Sequence, residues 1–161
     1  LARLMASVGL KNMKRIVISL TALFFGGMIY ILWRTETLFM FSWFDRVGLG
    51  GVTVFLRASA EPFSDYLPDW FMFSLPNALW FFSGLILFDS IWDANLSGSK
   101  LSWLLGFCVI AVGSEIAQAF QLIPGTFDYH DLLFMIIGGM LFTLLIFHKQ
   151  YLQERRIQHE S

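Results

Sequence analysis

Four long apolar segments, nearly free of charged residues, constrain the fold of this chain more than any other feature. They cover residues 16–33, 70–88, 101–123, where Glu115 is the only charge, and 132–147. Each approaches the roughly 20 residues that an α-helix needs to cross the hydrocarbon core of a bilayer. Hydrophobic residues make up 57% of the 161 residues and charged residues only 14%, which is too apolar for a soluble domain of this length. The sequence therefore predicts an all-α integral membrane protein with four transmembrane helices.

The basic residues outside these segments indicate the orientation in the membrane. Lys and Arg are more frequent in cytoplasmic connections than in outer ones. One side carries Arg3, Lys11, Lys14, Arg15, Lys100, Lys149, Arg155 and Arg156, and the other carries Arg34, Arg46 and Arg57. Both termini are therefore predicted to be cytoplasmic, with the 34–69 connection and the 124–130 turn on the outer face.

The outer and inner connections differ in character. In the outer one, residues 38–44 and 52–56 are too apolar to stay in water. We expect them to lie in the lipid interface as two pieces, separated by three glycines between residues 48 and 51. The inner connection, residues 89–100, is short, polar and turn-like.

Length and composition limit the number of domains and the classes of partner. We expect one membrane domain over residues 13–148 and a short cytoplasmic tail over residues 149–161. Residues 1–12 could be a non-native or upstream extension, because Met13 followed by two basic residues resembles a natural start. A net charge of −1, without a nucleic-acid-binding motif, argues against a nucleic-acid partner. The single cysteine, Cys108, cannot form a disulfide within the chain.

A cluster of acids and amides interrupts the apolar second half of the chain. Glu115 and Gln118 lie in the third segment, and Asp128 and Asp131 lie just before the fourth. Ionisable groups at membrane depth are costly and usually have a function. This cluster is therefore the strongest functional lead in the sequence.

Counting along the segments predicts which other residues lie near Glu115. At a rise of 1.5 Å per residue, Glu115 lies about 10–12 Å below the outer surface, level with Asn77 of the second segment. Gly138 and Gly139 of the fourth segment fall at the same level and would allow close helix packing there. The predicted outward-facing polar pocket consists of Glu115, Gln118, Gln121, Asp128, Asp131 and Asn77.

The residues of this cluster also have purely structural interpretations. Glu115, Gln118 and Asn77 could form an interhelical hydrogen-bond clamp that only holds the bundle together. Asp131 has the position of a helix N-cap. Asp128 is not explained by that cap, which makes it the stronger functional candidate of the two.

The charge state of Glu115 and the presence of a metal are separate questions. With no basic residue inside the four segments, Glu115 could be protonated or could pair with an arginine of the outer connection: Arg34, Arg46 or Arg57. The ligand types around His130 suit a metal, but their spacing matches no metal motif, so neither a metal nor a cofactor is predicted. Ser114 lacks the surroundings of a nucleophile elbow.

The last two segments carry a recognisable motif. Glu115 and Gln118 form Glu-x-x-Gln, a Pro-Gly turn follows at 124–125, and Asp128 and Asp131 form Asp-x-x-Asp before the glycine pair at 138–139. This arrangement resembles the VanZ-like family of small bacterial membrane proteins, as a divergent member. Thr126 stands where the family usually has Arg, and Met135 where it has Asn.

The resemblance implies a bacterial cytoplasmic membrane protein associated with the cell envelope. The name-giving member of the family is associated with resistance to the glycopeptide antibiotic teicoplanin. The missing Arg removes a charge partner for the acids, so an activity that depends on this Arg is not expected here.

Three functions are compatible with an outward-facing polar pocket. The favoured one is recognition of the head group of a membrane lipid or a lipid-linked cell-wall precursor. The second is catalysis with Glu115 or Asp128 as acid or base, which is less favoured because no nucleophile or metal set is present. The third is proton-coupled transport, which would need a homo-oligomer with contacts at glycine pairs 26–27 and 138–139.

Overall fold

The computed structural model describes residues 2–35, 39–91, 97–123 and 127–160, with side chains described over 12–35, 39–91, 97–123 and 127–146. Within these ranges every regular element is helical, as the sequence predicts. The elements are α1 (Ala2–Trp33), α2 (Phe39–Arg46), α3 (Gly50–Ala60), a 3-10 helix (Glu61–Tyr66), α4 (Asp69–Phe73), α5 (Leu75–Ile91), α6 (Gly98–Ala119) and α7 (Tyr129–Glu160).

Four spans among the described residues are long and apolar enough to cross a membrane. They are Asn12–Trp33, Asp69–Ile91, Gly98–Ala119 and Tyr129–Ile146. The predicted number of transmembrane helices is therefore confirmed. The boundaries proposed at residues 12/13 and 148/149 fall inside α1 and α7, which are continuous there, and they stay predictions.

The second span is the centre of the bundle. In its most apolar stretch 44% of the residues are buried, against 17%, 6% and 17% in the first, third and fourth spans. Its helix α5 contacts α1, α6 and α7. The buried core joins Phe81 and Leu85 of α5 to Met135 of α7, with Phe107 of α6 packed against them.

The second span is broken into two helices at Ser74. Pro76 has no N–H to donate to the Met72 carbonyl, and its ring crowds the preceding turn. Ser74 has φ −103° and ψ −34° and ends α4, while Pro76 lies in the first turn of α5, where a proline is tolerated. Both residues are almost completely buried. The break therefore lies inside the protein, where other helices can satisfy the backbone groups it frees.

Small residues hold α1 against α5. The Ser19 hydroxyl donates to the Ser83 carbonyl and the Ser83 hydroxyl to the Ser19 carbonyl, each at 2.9 Å. Two turns further along α1, Gly26 leaves room for the indole of Trp80. Gly26 thus serves packing within the chain, whereas a Cβ at Gly27 would meet no neighbour within 4 Å.

The connection between the first two spans folds into α2, α3 and the 3-10 helix rather than into irregular segments. Gly48 ends α2 with φ 80°, and the Leu49 N–H bonds to the Phe44 carbonyl at 2.8 Å, as in a glycine-terminated helix. The helices leave large apolar side chains exposed, among them Phe39, Trp43, Val54 and Phe55. Residue 38 of the first predicted interfacial piece lies outside the described residues, and the position of the connection in the lipid interface stays a prediction.

Candidate functional site

The antiparallel spans define two ends of the bundle. We call the end formed by Trp33, Asp69, Ala119 and Tyr129 the acidic end, and the end formed by Asn12, Ile91, Gly98 and Ile146 the Lys100 end. The predicted site residues belong to the acidic end. A second polar cluster, not predicted from the sequence, lies at the Lys100 end.

Two buried carboxyl groups meet at the acidic end. Glu115 of α6 is 7% exposed and Asp131 of α7 is 5% exposed, and the two interact electrostatically. Among the described residues, Glu115 Oε2 and Asp131 Oδ1 are buried without a hydrogen-bond partner. Buried carboxyl oxygens are normally paired, so this pair of groups has unused hydrogen-bonding capacity.

The broken second span supplies the neutral partners of Asp131. Ser74 and Asn77 donate side-chain hydrogen bonds to the Asp131 carboxyl group. Ser74 ends α4 and Asn77 lies in the first turn of α5, so both donors come from the break. The break and the acid therefore form one structural unit.

A close contact between α5 and α7 brings these groups together. A Cβ built on Gly138 would lie 3.0 Å from the Ala78 carbonyl oxygen, so a larger residue would push the helices apart. Asp131 lies two turns before Gly138 and hence on the same face of α7. Gly139 points elsewhere, with a built Cβ 3.5 Å from Phe81 Cε1.

Arg34 is the arginine whose charge acts on all three acids of the motif. It interacts electrostatically with Glu115, Asp128 and Asp131. Its guanidinium lies 5.5 Å from the ring centre of Tyr30 and 5.6 Å from that of Phe73. These rings hold the Arg34 guanidinium at the acidic end by cation–π attraction.

Arg57, a second arginine considered as a partner for Glu115, has contacts elsewhere. Its Nη1 donates to the Ile31 carbonyl at 2.7 Å, and its guanidinium lies 5.0 Å from the ring centre of Phe41. Arg57 therefore ties α3 and α2 to the end of α1.

Asp128 is the N-cap of α7. Its Oδ1 accepts a hydrogen bond from the His130 backbone N–H at 2.9 Å, and its carbonyl accepts one from the Asp131 N–H at 3.0 Å. The His130 ring nitrogen Nδ1 lies 2.9 Å from the same Oδ1. The backbone N–H of His130 is the main reason that the pKa of Asp128 lies below its usual range. With 44% of its side chain exposed, Asp128 is a surface cap.

The sequence interpretation considered a cap at Asp131, next to the apolar segment that begins at residue 132, and favoured Asp128 for function. The structure places the cap at Asp128. The helix begins at Tyr129, which makes Asp128 the cap and carries Asp131 inward as the third helical residue. The more buried of the two is Asp131.

The glutamines of the motif are separated. Gln118 is half-buried within α6, but α6 ends at Ala119 and Gln121 lies beyond it, exposed and with φ 56°. The Leu122 N–H closes the helix end on the Ala117 carbonyl at 2.8 Å. Because α6 ends four residues earlier than predicted, Glu115 lies about 6 Å from the helix end and not 10–12 Å.

Two apolar grooves lie on the α1 side of the bundle. The larger has a volume of about 830 Å³ and follows α1 from Val17 to Trp33, against Phe71, Leu75 and Leu79. A second groove of about 460 Å³ continues it below the 3-10 helix and shares Trp33 and Phe71 with it. Glu115 and Asp131 line neither groove, and no described residue of α6 or α7 does. The predicted polar pocket is therefore a buried carboxyl pair separate from these grooves. Trp33, which precedes Arg34, has a buried indole N–H without a partner in the described part of the chain.

The cluster at the Lys100 end consists of Arg15, Asp89 and Lys100. The Asp89 carboxylate forms ion pairs with both cations, one from α1 and one from α6. Asp89 and Lys100 are buried within α5 and α6, which contradicts their assignment to a polar, turn-like inner connection. The sequence signal was weak, because a charge at the end of an apolar segment has the pattern of a loop residue. Residues 92–96 between them lie outside the described residues.

Neither a search for metal-ligand groups nor a comparison with known proteins assigns a function to the two clusters. Within the described residues, no group of three or more His, Cys, Asp or Glu side chains could hold a metal ion. None of the family models, curated proteins and solved structures compared with the chain matches it. Membership of the VanZ-like family therefore stays a prediction from the motif.

Proposed function

We propose that this chain recognises the polar head group of a lipid or a lipid-linked envelope precursor at the acidic end, through Glu115 and Asp131. The observation that carries the proposal is the pair of buried carboxyl groups, each with an oxygen that lacks a partner. A ligand that donates hydrogen bonds, above all an amine, would satisfy both oxygens and compensate their charge.

Arg34 and the grooves extend the match to an amphipathic ligand. Arg34 is a cation at the acidic end, and it could bind a phosphate group that lies next to the amine of the ligand. The larger groove follows α1 from Val17 to Trp33, about 24 Å at the helical rise, which is long enough for an acyl chain. Trp33 joins the two parts, since it lines the groove and directly precedes Arg34.

The outward orientation and the bacterial cytoplasmic membrane are parts of the same proposal. They rest on the distribution of Lys and Arg and on the motif around Glu115 and Asp128. A link to glycopeptide resistance rests on that motif alone. Growth of an expressing strain in teicoplanin, compared with a strain that expresses Glu115→Gln, would test it.

Mass spectrometry of molecules that co-purify in mild detergent tests head-group recognition. The probes are the wild-type protein, the isosteric Glu115→Gln/Asp131→Asn double variant, and a matched Glu61→Gln/Asp65→Asn control in the exposed 3-10 helix. We expect a specific amine-bearing lipid or precursor in the wild type and in the control, and its loss in the double variant. The same molecules in all three proteins would refute recognition and leave the interhelical clamp as the role of these residues.

Proton binding is a second candidate, and the same carboxyl pair favours it. Two buried acids that interact electrostatically disfavour a second negative charge, and an intramembrane carboxyl can carry a proton. Proton flux into vesicles that contain the wild-type protein, abolished by Glu115→Gln and retained in Glu61→Gln, would support this function. Flux that survives Glu115→Gln would exclude Glu115 as the carrier.

A further inference from the structure

The buried ion cluster at the Lys100 end joins three helices. Arg15 comes from α1, Asp89 from α5 and Lys100 from the first turn of α6. Asp89 contacts both cations, so it fixes two positive groups beside one another. Among the described side chains, Asp89 is the carboxylate that pairs with each of them.

The charges of this cluster do not balance among the described side chains. Two cations share one carboxylate, which leaves one excess positive charge in a largely buried position. The neighbouring Ser90 hydroxyl donates to the Ile86 carbonyl of its own helix and, being neutral, adds no negative charge to the cluster. A desolvated excess charge is costly unless an anion compensates it.

The cluster is accessible from one direction. The Arg15 side chain is 15% exposed, whereas those of Lys100 and Asp89 are 6% and 4% exposed. Arg15 and Lys100 lie at the ends of their spans, where lipid phosphates are found in a bilayer. Arginine also presents several N–H groups in a fork that fits phosphate oxygens.

We propose that Arg15 and Lys100, held in place by Asp89, form a binding site for a phosphate anion, supplied by the head group of an anionic lipid in the adjacent leaflet. Asp89 orients the two cations, and the phosphate contributes the missing negative charge. This site is independent of the carboxyl pair at the acidic end, so either proposal can fail without the other.

Native mass spectrometry of the full chain in detergent tests the site with defined lipids. Phosphatidylglycerol and phosphatidylcholine share the phosphodiester, but only the first carries a net negative charge. We expect the wild type to retain phosphatidylglycerol about fivefold more strongly, the contribution of one unit charge at a membrane surface. Equal retention of the two lipids by the wild type would overturn the proposal without any variant.

Variants then locate the binding. Arg15→Gln is expected to lose the preference, while Lys14→Gln, a substitution of the exposed neighbour, retains it. Arg15→Lys keeps the charge and serves as the folded variant if Arg15→Gln does not fold, with a weakened but measurable preference. Equal losses in Arg15→Gln and Lys14→Gln would assign the preference to general surface charge and contradict the site.

Inorganic phosphate distinguishes the source of the anion. If added phosphate leaves the bound phosphatidylglycerol in place, the lipid is the ligand, as proposed. If it displaces the lipid from the wild type, the site takes a free phosphate in preference and the lipid assignment is wrong.

Discussion

The two ends of the bundle solve the problem of buried charge in opposite ways. At the Lys100 end, Asp89 pairs directly with Arg15 and Lys100, and opposite charges are in contact. At the acidic end, Glu115 and Asp131 are two acids that interact with one another, and Asp131 accepts hydrogen bonds from the neutral side chains of Ser74 and Asn77. The first arrangement is an ion cluster that joins three helices. The second leaves carboxyl oxygens without hydrogen-bond partners among the described residues.

This difference predicts how the stability of the protein responds to substitutions at each end. Removing one member of an ion cluster leaves the others unpaired, so substitutions in the cluster at the Lys100 end should strongly reduce stability. A carboxyl group that accepts from neutral donors tolerates an isosteric amide far better. Substitutions at the two ends should therefore differ in their effects on stability.

The largest effect is expected for Asp89→Asn. This change leaves two buried cations without a counter-charge and should lower the free energy of unfolding by about 3–5 kcal/mol. Asp131→Asn retains acceptors for Ser74 and should cost about 1 kcal/mol. Reversible unfolding in mixed detergent micelles measures both, with the exposed Asp65→Asn as the control. Equal losses for Asp89→Asn and Asp131→Asn would remove the distinction between the two ends.

Gly138→Ala should have the next largest effect. The new Cβ would lie 3.0 Å from a backbone carbonyl oxygen, which cannot move without a shift of α5 against α7. We expect a loss of about 1–3 kcal/mol, as for other overpacked contacts. Gly106→Ala is the matched control in α6, because a Cβ there meets no atom within 4 Å. A loss in Gly106→Ala as large as that in Gly138→Ala would show that helix contact is not the cause.

Asp128→Ala tests the cap at the acidic end. Loss of the side-chain bond to the His130 N–H should lower the free energy of unfolding by about 1 kcal/mol, and Asp128→Asn, also a good cap, should not. If Asp128→Asn is as destabilised as Asp128→Ala, the carboxylate charge matters beyond capping.

The pH dependence of the Asp128 cap has a defined sign. Because the pKa of Asp128 is lowered in the folded chain, its contribution is present above the unfolded value of about 3.9 and is lost as the pH falls through the folded pKa. The difference in stability between wild type and Asp128→Ala should therefore shrink in that acidic range. A difference that is constant across this range would contradict the assignment.

The smallest effect, of opposite sign, is expected for Gln121→Gly. Gln121 has φ 56°, a conformation that costs a residue with a Cβ about 1 kcal/mol and glycine much less. The substitution should raise the free energy of unfolding by up to that amount. Gln118→Gly, inside α6, should lower it by about 1 kcal/mol. A loss of stability in Gln121→Gly would mean that its side chain makes a contact that outweighs the strain.

The four spans and Glu115 could be predicted because their signals are local. An apolar segment of sufficient length predicts a span by itself, and one acid within such a segment predicts a buried carboxyl group. The break at Ser74 could be predicted in part, since Pro76 disrupts the preceding turn. The contact of the break with Asp131 could not be predicted, because it depends on how α7 packs against α5.

The assignments that failed depend on helix ends and on long-range pairing. The N-cap is Asp128 and not Asp131, because the helix begins three residues before the apolar segment. The ion cluster joins Arg15 to Asp89, 74 positions apart, and no local pattern encodes such a contact. Charges at span ends are therefore ambiguous in sequence, since burial or solvation depends on neighbouring helices.

We propose that the two charged clusters face opposite sides of the membrane, with the carboxyl pair outward. Cysteine labelling in right-side-out membrane vesicles with a membrane-impermeant maleimide tests it directly, in a Cys108→Ala background. The probes are Tyr66→Cys in the exposed 3-10 helix at the acidic end and Ser99→Cys at the Lys100 end. We predict labelling of Tyr66→Cys in sealed vesicles and of Ser99→Cys only after they are opened. The reverse pattern, or labelling of both in sealed vesicles, would contradict the outward site.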